Sequence, residues 1–377
     1  MNDVDERPIN EYRGSAVDTF AHCRRKYRYE YIELIEAART QKPLYFGTVM
    51  HKYLEALYSG CGHSGAFEVG GNLFDTTNLS DMDQVEVMEM VDLYENLAPN
   101  YREYWAEADK ARETYATEFK FRVHLGGDDW FVGTIDHLFR DRDTGLFWLE
   151  DHKSVKSIAQ YIKSIEYSRQ TPRYLKATRL LASGRGEIMH GKKWTPVTQH
   201  FPHISGIIFN LISKTIPHPP KVLVKGKGLS IDKSQNTTLQ LYREALIENG
   251  WGRWFVDEEG VTYFNADDKY REILELLASQ ETPLGNRYFR RIPLRTTPYQ
   301  MDFAFSEMRE IIYEIDLATE TDRFYRNSGR HCGWCQYNAI CSAEAAGENV
   351  EMILDTMYRP KADNPYAEDE EDDVHES

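Results

Sequence analysis

Four ionisable side chains follow one another in Glu150-Asp151-His152-Lys153, and a fifth, Asp136, precedes them. The stretch from Leu146 to Lys153 alternates as a strand, so Asp151 and Lys153 share the face of Phe147 and Leu149 while Glu150 and His152 take the other. With the intervening turn centred near Arg142-Asp143, Asp136 is expected opposite Leu149, on the face of Asp151. Ions at the end of an apolar face are costly to bury. Spacing alone leaves two readings open. One is a structural ion-pair network. In the other, two carboxylates bind a hard cation such as Mg2+ or Mn2+, and the ammonium assists a water or stabilises charge on phosphorus. Metal-assisted phosphodiester hydrolysis is the reaction the second set suits.

Four cysteines form a second constellation: Cys23 near the start, then Cys332, Cys335 and Cys341 near the end. A C-x2-C pair followed shortly by a third cysteine is metal-knuckle spacing rather than a disulfide pattern, and a ligand from each terminus would staple the chain shut. Spacing leaves zinc and an iron-sulfur cluster equally open. Cys61, in a Gly- and Ser-rich stretch, reads as a bystander.

The 377 residues, 41% hydrophobic and 28% charged, suffice for a globular protein with ample core. No run of about 18 apolar residues is present to span a bilayer, and the polar start MNDVDERPIN has no apolar signal segment, so a cytoplasmic protein is expected. The net charge of −16 speaks against a nucleic-acid binder, but the average misleads. Seven acidic residues crowd between Tyr366 and Ser377, a tail expected to be disordered, whereas Arg24, Arg25, Lys26 and Arg28 interleave with Tyr27, Tyr29 and Tyr31. Arg326 and Arg330 precede Cys332; if the cysteines meet, the two basic runs meet as well.

The elements that must position these groups are legible in outline. Ser15 to Ile32 has helical spacing with Cys23 in its middle, and a second helix follows Phe46-Gly47. Residues 61–83 read as a loop and 84–112 as helical. The period then changes to two, with strands over Thr117–Leu125, Trp130–Phe139 and Leu146–Lys153 forming an antiparallel meander. Ile158–Ala182 is helical, His203–Lys214 a buried strand, Ile216–Leu229 a Lys- and Pro-rich loop, and Gln240–Glu248, Lys269–Ser279 and Thr297–Thr319 are helical.

These residues resemble a family. Gly47 and His51, Gly133 and Asp136, Asp151 and Lys153, and Gln170 and Tyr174 reproduce, in order, the G-x-x-x-H, G-x-x-D, D-x-K and Q-x-x-x-Y motifs of RecB-like nucleases in the PD-(D/E)xK superfamily. With the cysteines, the pattern is similar to the iron-sulfur members of that branch, among them CRISPR-associated RecB-type exonucleases, the AddB nuclease domain and phage exonucleases. The resemblance implies an α/β, restriction-endonuclease-like core with a mixed central sheet flanked by helices. Around it would lie a helical insertion (61–112) and an iron-sulfur-stapled cap (330–345) joined to Cys23, all within one domain of residues 1–345, followed by an extension (346–377).

It implies that His51, Asp136, Asp151 and the His152 carbonyl hold Mg2+ or Mn2+, that Lys153 is the base or stabiliser, and that Gln170 and Tyr174 orient Lys153 and the backbone. Pro172 departs from the pattern and fits best if Thr171 caps the helix. Cys23, Cys332, Cys335 and Cys341 would hold a 4Fe-4S cluster, and Arg24, Arg25, Lys26, Arg28, Arg326 and Arg330 would contact DNA. The implied activity is DNA exonucleolysis on single strands or ends, with recombination, replication or CRISPR proteins as partners. An end-trimming endonuclease and a non-catalytic DNA-binding subunit are the alternatives.

Overall fold

The computed structural model describes residues 10–38, 42–76, 84–197, 201–223 and 227–361. The acidic tail, the first nine residues and part of the 216–229 loop lie outside them. The chain begins with β1 (Asn10–Arg13), α1 (Gly14–His22), a short α2 (Arg24–Tyr27) continued by a π-helical turn to Ile32, and β2 (Ile35–Ala37). The expected single helix is broken at Cys23, whose backbone is extended (φ −158°, ψ 110°). Tertiary partners take up the break: the Asn327 amide donates to the His22 carbonyl (2.8 Å) and the Arg25 N–H to the Tyr325 carbonyl (3.1 Å). Val17, Phe20 and Tyr27 still reach one core, because the helix resumes after a single residue.

Next come α3 (Lys42–Ala56), a π-helical turn (Leu57–Cys61), α4 (Gly62–Thr76) and α5 (Gln84–Trp105). The expected loop after Cys61 is thus largely helix. Its glycines lower helix propensity but permit close packing: a Cβ on Gly70 would stand 2.3 Å from the Tyr94 hydroxyl and 3.1 Å from Tyr53 Cβ. These helices share a core built on Val49, Tyr53, Tyr94 and Tyr101.

The meander follows as β3 (Arg112–Gly126), β4 (Asp129–Asp141) and β5 (Phe147–Val155), then α6 (Ile158–Ile165), α7 (Gln170–Ala182), β6 (Gly186–His190), β7 (Lys193–Pro196) and β8 (Ile204–Ser213). α6 begins where the Ser157 side chain accepts from the Gln160 N–H. Between β8 and β11 (Phe289–Leu294), α8 (Leu239–Glu248), the hairpin β9 (Gly252–Val256) with β10 (Thr262–Ala266), and α9 (Arg271–Gln280) enclose a core of their own around Tyr242, Leu246 and Tyr270. α10 (Pro298–Glu320), opened by a Thr297–Gln300 capping box, precedes α11 (Asn338–Ala346), α12 (Glu351–Met357) and β12 (Tyr358–Pro360), which pairs with β2.

Among the described residues, eight strands form one mixed sheet in the order β11-β8-β5-β4-β3-β6-β7, with β1 also on β4. β5 runs parallel to β8, whose apolar residues are buried, and β1 runs parallel to β4. One edge of β4 is divided. β5 pairs only with His137–Arg140 and β1 only with Asp129–Val132, so residues 133–136 face a fork between them. Helices α1, α7 and α10 cover one face and α3, α4 and α5 the other. No helix among the described residues is long and apolar enough to cross a membrane.

Candidate active site

The fork collects the ionisable groups. His137 pairs with Glu150 and Leu138 with Leu149, so the register runs two residues from the expected one and sets Asp136 against Asp151 rather than Leu149. A slip of two preserves the face, which is why the convergence survives the error. Beyond Glu150 the strands separate. Asp136 Oδ2 accepts the His152 backbone N–H (2.7 Å), and Lys153 Nζ lies 2.9 Å from Asp151 Oδ1 and 2.7 Å from Oδ2. Gln170 Nε2 donates to the same Oδ1 (2.6 Å), while Oδ2 is buried without an aligned hydrogen bond.

The motif glycines have steric causes. A Cβ on Gly133 would meet the Phe121 ring at 2.6 Å and the Tyr174 hydroxyl at 3.3 Å, so only glycine lets α7 bring Tyr174 to the sheet. Gly47 lies 3.5 Å, measured from an added Cβ, from Ser154 Oγ, where α3 crosses β5. That crossing places His51 with Nε2 2.8 Å from the His152 carbonyl and Nδ1 3.6 Å from Asp136 Oδ2. Gln170 opens α7 with Arg169 as its N-cap, not Thr171. Pro172 is tolerated because first-turn amides have no intrahelical acceptor to lose. Gln170 therefore sits inside the helix and reaches Asp151.

A carboxylate missed in the sequence completes the site. Glu118 falls between the Thr117–His137 and Phe119–Ile135 pairs, against Asp136, with a left-handed backbone (φ 44°). Ligand atoms of His51, Glu118 and Asp136 lie within 4.8 Å of one another, a spacing one cation can bridge. Burial, then Asp151, raises Asp136 to about 6; burial, then Asp136 and Glu55, raises Glu118 to about 7. Lys153 is partly buried, which by itself would depress it, but Asp151 and Asp136 hold it above its ordinary value. It is an ammonium in this state. The donor set of imidazole, carboxylates and carbonyl fits a hard divalent cation.

Glu150 and His152 point to the other face, as alternation requires. Glu150 accepts from Arg112 Nη1 (2.8 Å) and lies 2.9 Å from His137 Nδ1 and 3.6 Å from Arg291 Nε. Burial would raise it, yet Arg112 and Arg291 hold it well below the carboxylate range. Burial lowers His152, whose Nδ1 accepts from the Asn210 amide (2.9 Å).

All four candidate cluster cysteines line one cavity of about 620 Å³, together with His22, His331 and Trp334. They carry free thiols, and Cys61 is exposed elsewhere. Burial, with Cys23 close by, raises the Cys341 thiol. The four soft donors fit a thiolate-ligated metal. The basic run beside Cys23 is internally compensated: Arg24 pairs with Glu314, Arg25 with Glu344, Lys26 with Glu30, and Arg28 with Glu33 and Asp322. Arg326 donates to the Cys341 carbonyl (3.2 Å), and Arg330 is exposed. The cation-rich groove is another one, of about 950 Å³, where Arg13, Lys120, Arg122 and Arg173 join Lys153.

The mixed sheet, the fork and the carboxylate-lysine set define a metal-dependent nuclease fold. The chain belongs to the PD-(D/E)XK nuclease superfamily, whose family model matches residues 14–342. No curated protein matches the chain.

Proposed function

We propose that the protein is a Mg2+- or Mn2+-dependent DNA exonuclease acting on single strands or ends, of the RecB-like type. One observation carries the reading: Asp136, Asp151 and Lys153 converge where β5 leaves β4, beside His51 and Glu118. His51, Glu118, Asp136, Asp151 and the His152 carbonyl hold the cation, which when bound polarises a phosphate oxygen and acidifies water. Gln170 fixes Asp151, and Tyr174, its oxygen near Gly133, borders the substrate groove. Water attacks phosphorus as the P–O3′ bond breaks, leaving a 5′-phosphate and a 3′-hydroxyl. Lys153 stabilises the charge that develops on the phosphate. It can act as a base only once a cation offsets the carboxylates that hold its proton.

Cys23, Cys332, Cys335 and Cys341 hold a 4Fe-4S cluster that closes a cap of residues 330–345 onto the start of one domain spanning 1–345, with 61–112 its helical insertion. The shared cavity and the free thiols support this. Anaerobic purification should give an absorption band near about 400 nm. The function is tested on end-labelled linear and circular DNA with Mg2+ or Mn2+: mononucleotide release from linear strands is expected, and cutting of closed circles at the same rate would refute the exonuclease reading.

A further inference from the structure

β1 ends at Arg13, paired with Val132, and α1 starts at the next residue, so the first turn of α1 opens into the fork. Gly14 and Ser15 line the groove that also holds Lys153, Gln170 and Tyr174. The N-cap is Arg13, which makes no capping side-chain hydrogen bond, and the first turn carries no acidic residue. Such an end presents amide donors and a partial positive charge. Ala16, Val17 and Phe20 anchor this nine-residue helix in the core.

Arg173 lines the same groove from α7 and is 1% exposed. Its Nη1 donates to Asp18 (2.9 Å), but Nε and Nη2 are buried with no hydrogen-bond partner. A buried guanidinium with two unsatisfied nitrogens is costly and needs an acceptor. No carboxylate hydrogen-bonds these two nitrogens: Asp18 takes Nη1 and also lies 3.6 Å from Arg169, Glu307 acts on the guanidinium only through its charge, and Glu11 is bound to Arg122 (2.9 Å). Helix terminus and guanidinium are independent features that both call for an anion.

We propose that the N-terminus of α1 and Arg173 form a phosphate-binding subsite that seats a phosphate of the substrate strand beside the one that is cut. The inference rests on the nuclease reading and adds how the strand is held. Its ligand is a phosphate group, either the terminal monoester of an end or the next diester along the strand.

The test uses the full chain and two variants, Arg173→Gln and Ser15→Asp, with single-stranded oligonucleotides bearing a 5′-phosphate or a 5′-hydroxyl. Both variants should raise KM about tenfold or more while kcat stays near wild type. Ser15 is exposed, and an acid at a helix N-terminus stabilises the helix, so a raised KM in Ser15→Asp cannot come from misfolding. Inorganic phosphate with EDTA should raise the melting temperature of the wild type but not of the variants. If a 5′-phosphate lowers the wild-type KM and the variants lose that preference, the occupant is the terminal monoester. If both substrates suffer equally, it is the internal diester. Wild-type KM values in both variants would overturn the subsite. A wild type that cuts no DNA with any metal would overturn the nuclease reading instead, and the subsite would then fall only if phosphate also leaves the wild-type melting temperature unmoved.

Discussion

The two faces of β5 carry the same kinds of residue and come to opposite ends. On the sealed face, Glu150 and His152 sit in a network with Arg112, His137, Asn210 and Arg291, in which Glu150 and Asp109 balance the two guanidinium groups. On the fork face, Asp136 feels the charge of both Asp151 and Glu118, and Lys153 is the ammonium that pairs with Asp151. Burial is complete for Glu150 and His137 and partial at the fork, and the sign of the surrounding charge separates the two faces. The sealed face drives its carboxylate far below the usual range, and the fork drives Asp136 and Glu118 above it. Surplus buried negative charge beside a groove marks a cation site; balanced buried charge marks a strut.

That contrast can be broken in several ways. Lys153→Ala or Asp151→Ala should abolish cleavage in the end-label assay while circular dichroism stays native; retained activity in both would remove the fork from the chemistry. On the sealed face, Glu150→Ala leaves Arg112 and Arg291 to share Asp109 and should cost about 3–5 kcal/mol in urea unfolding. A loss of activity at undiminished stability would show that the network does more than support. Glu118→Gln should weaken Mn2+ binding about tenfold or more by calorimetry, yet stabilise the metal-free protein at pH 8 by removing one of the crowded charges. If affinity is unchanged, Glu118 is no ligand.

The smallest effect is pH dependence. Asp136 and Glu118 have folded values raised above those of the unfolded chain, so their contribution to stability is full below about pH 4 and is lost as pH rises through about 6 and about 7. The metal-free protein should melt higher at pH 5 than at pH 8, and divalent metal should narrow or reverse the difference. A melting temperature that rises from pH 5 to pH 8 without metal would contradict the assigned shifts.

Much of the site was legible because strand alternation is a local property: Asp151 and Lys153 share a face whatever the register, and so do Glu150 and His152. Glu118 was not legible. A bulge between His124 and Gly126 shifts the β3–β4 pairing by one residue, and only that shift brings Glu118 rather than Phe119 against Asp136. The cysteine spacing likewise pointed to the convergence of four thiols that line one cavity, but the extended backbone at Cys23 depends on contacts from residues 325–327, three hundred positions away.

The sequence by itself determined the order of the candidate residues other than Glu118, and the sheet face of those on β5, because residue type and period are written locally. Only the tertiary structure decided that β1 and β5 divide one edge of β4, that the Arg24–Arg28 cations are spent on internal carboxylates, and that Arg173 and the start of α1 open into the same groove. Those outcomes depend on which distant segments pack together, and burial then turns the same charges into a balanced strut on one face and an unbalanced site on the other.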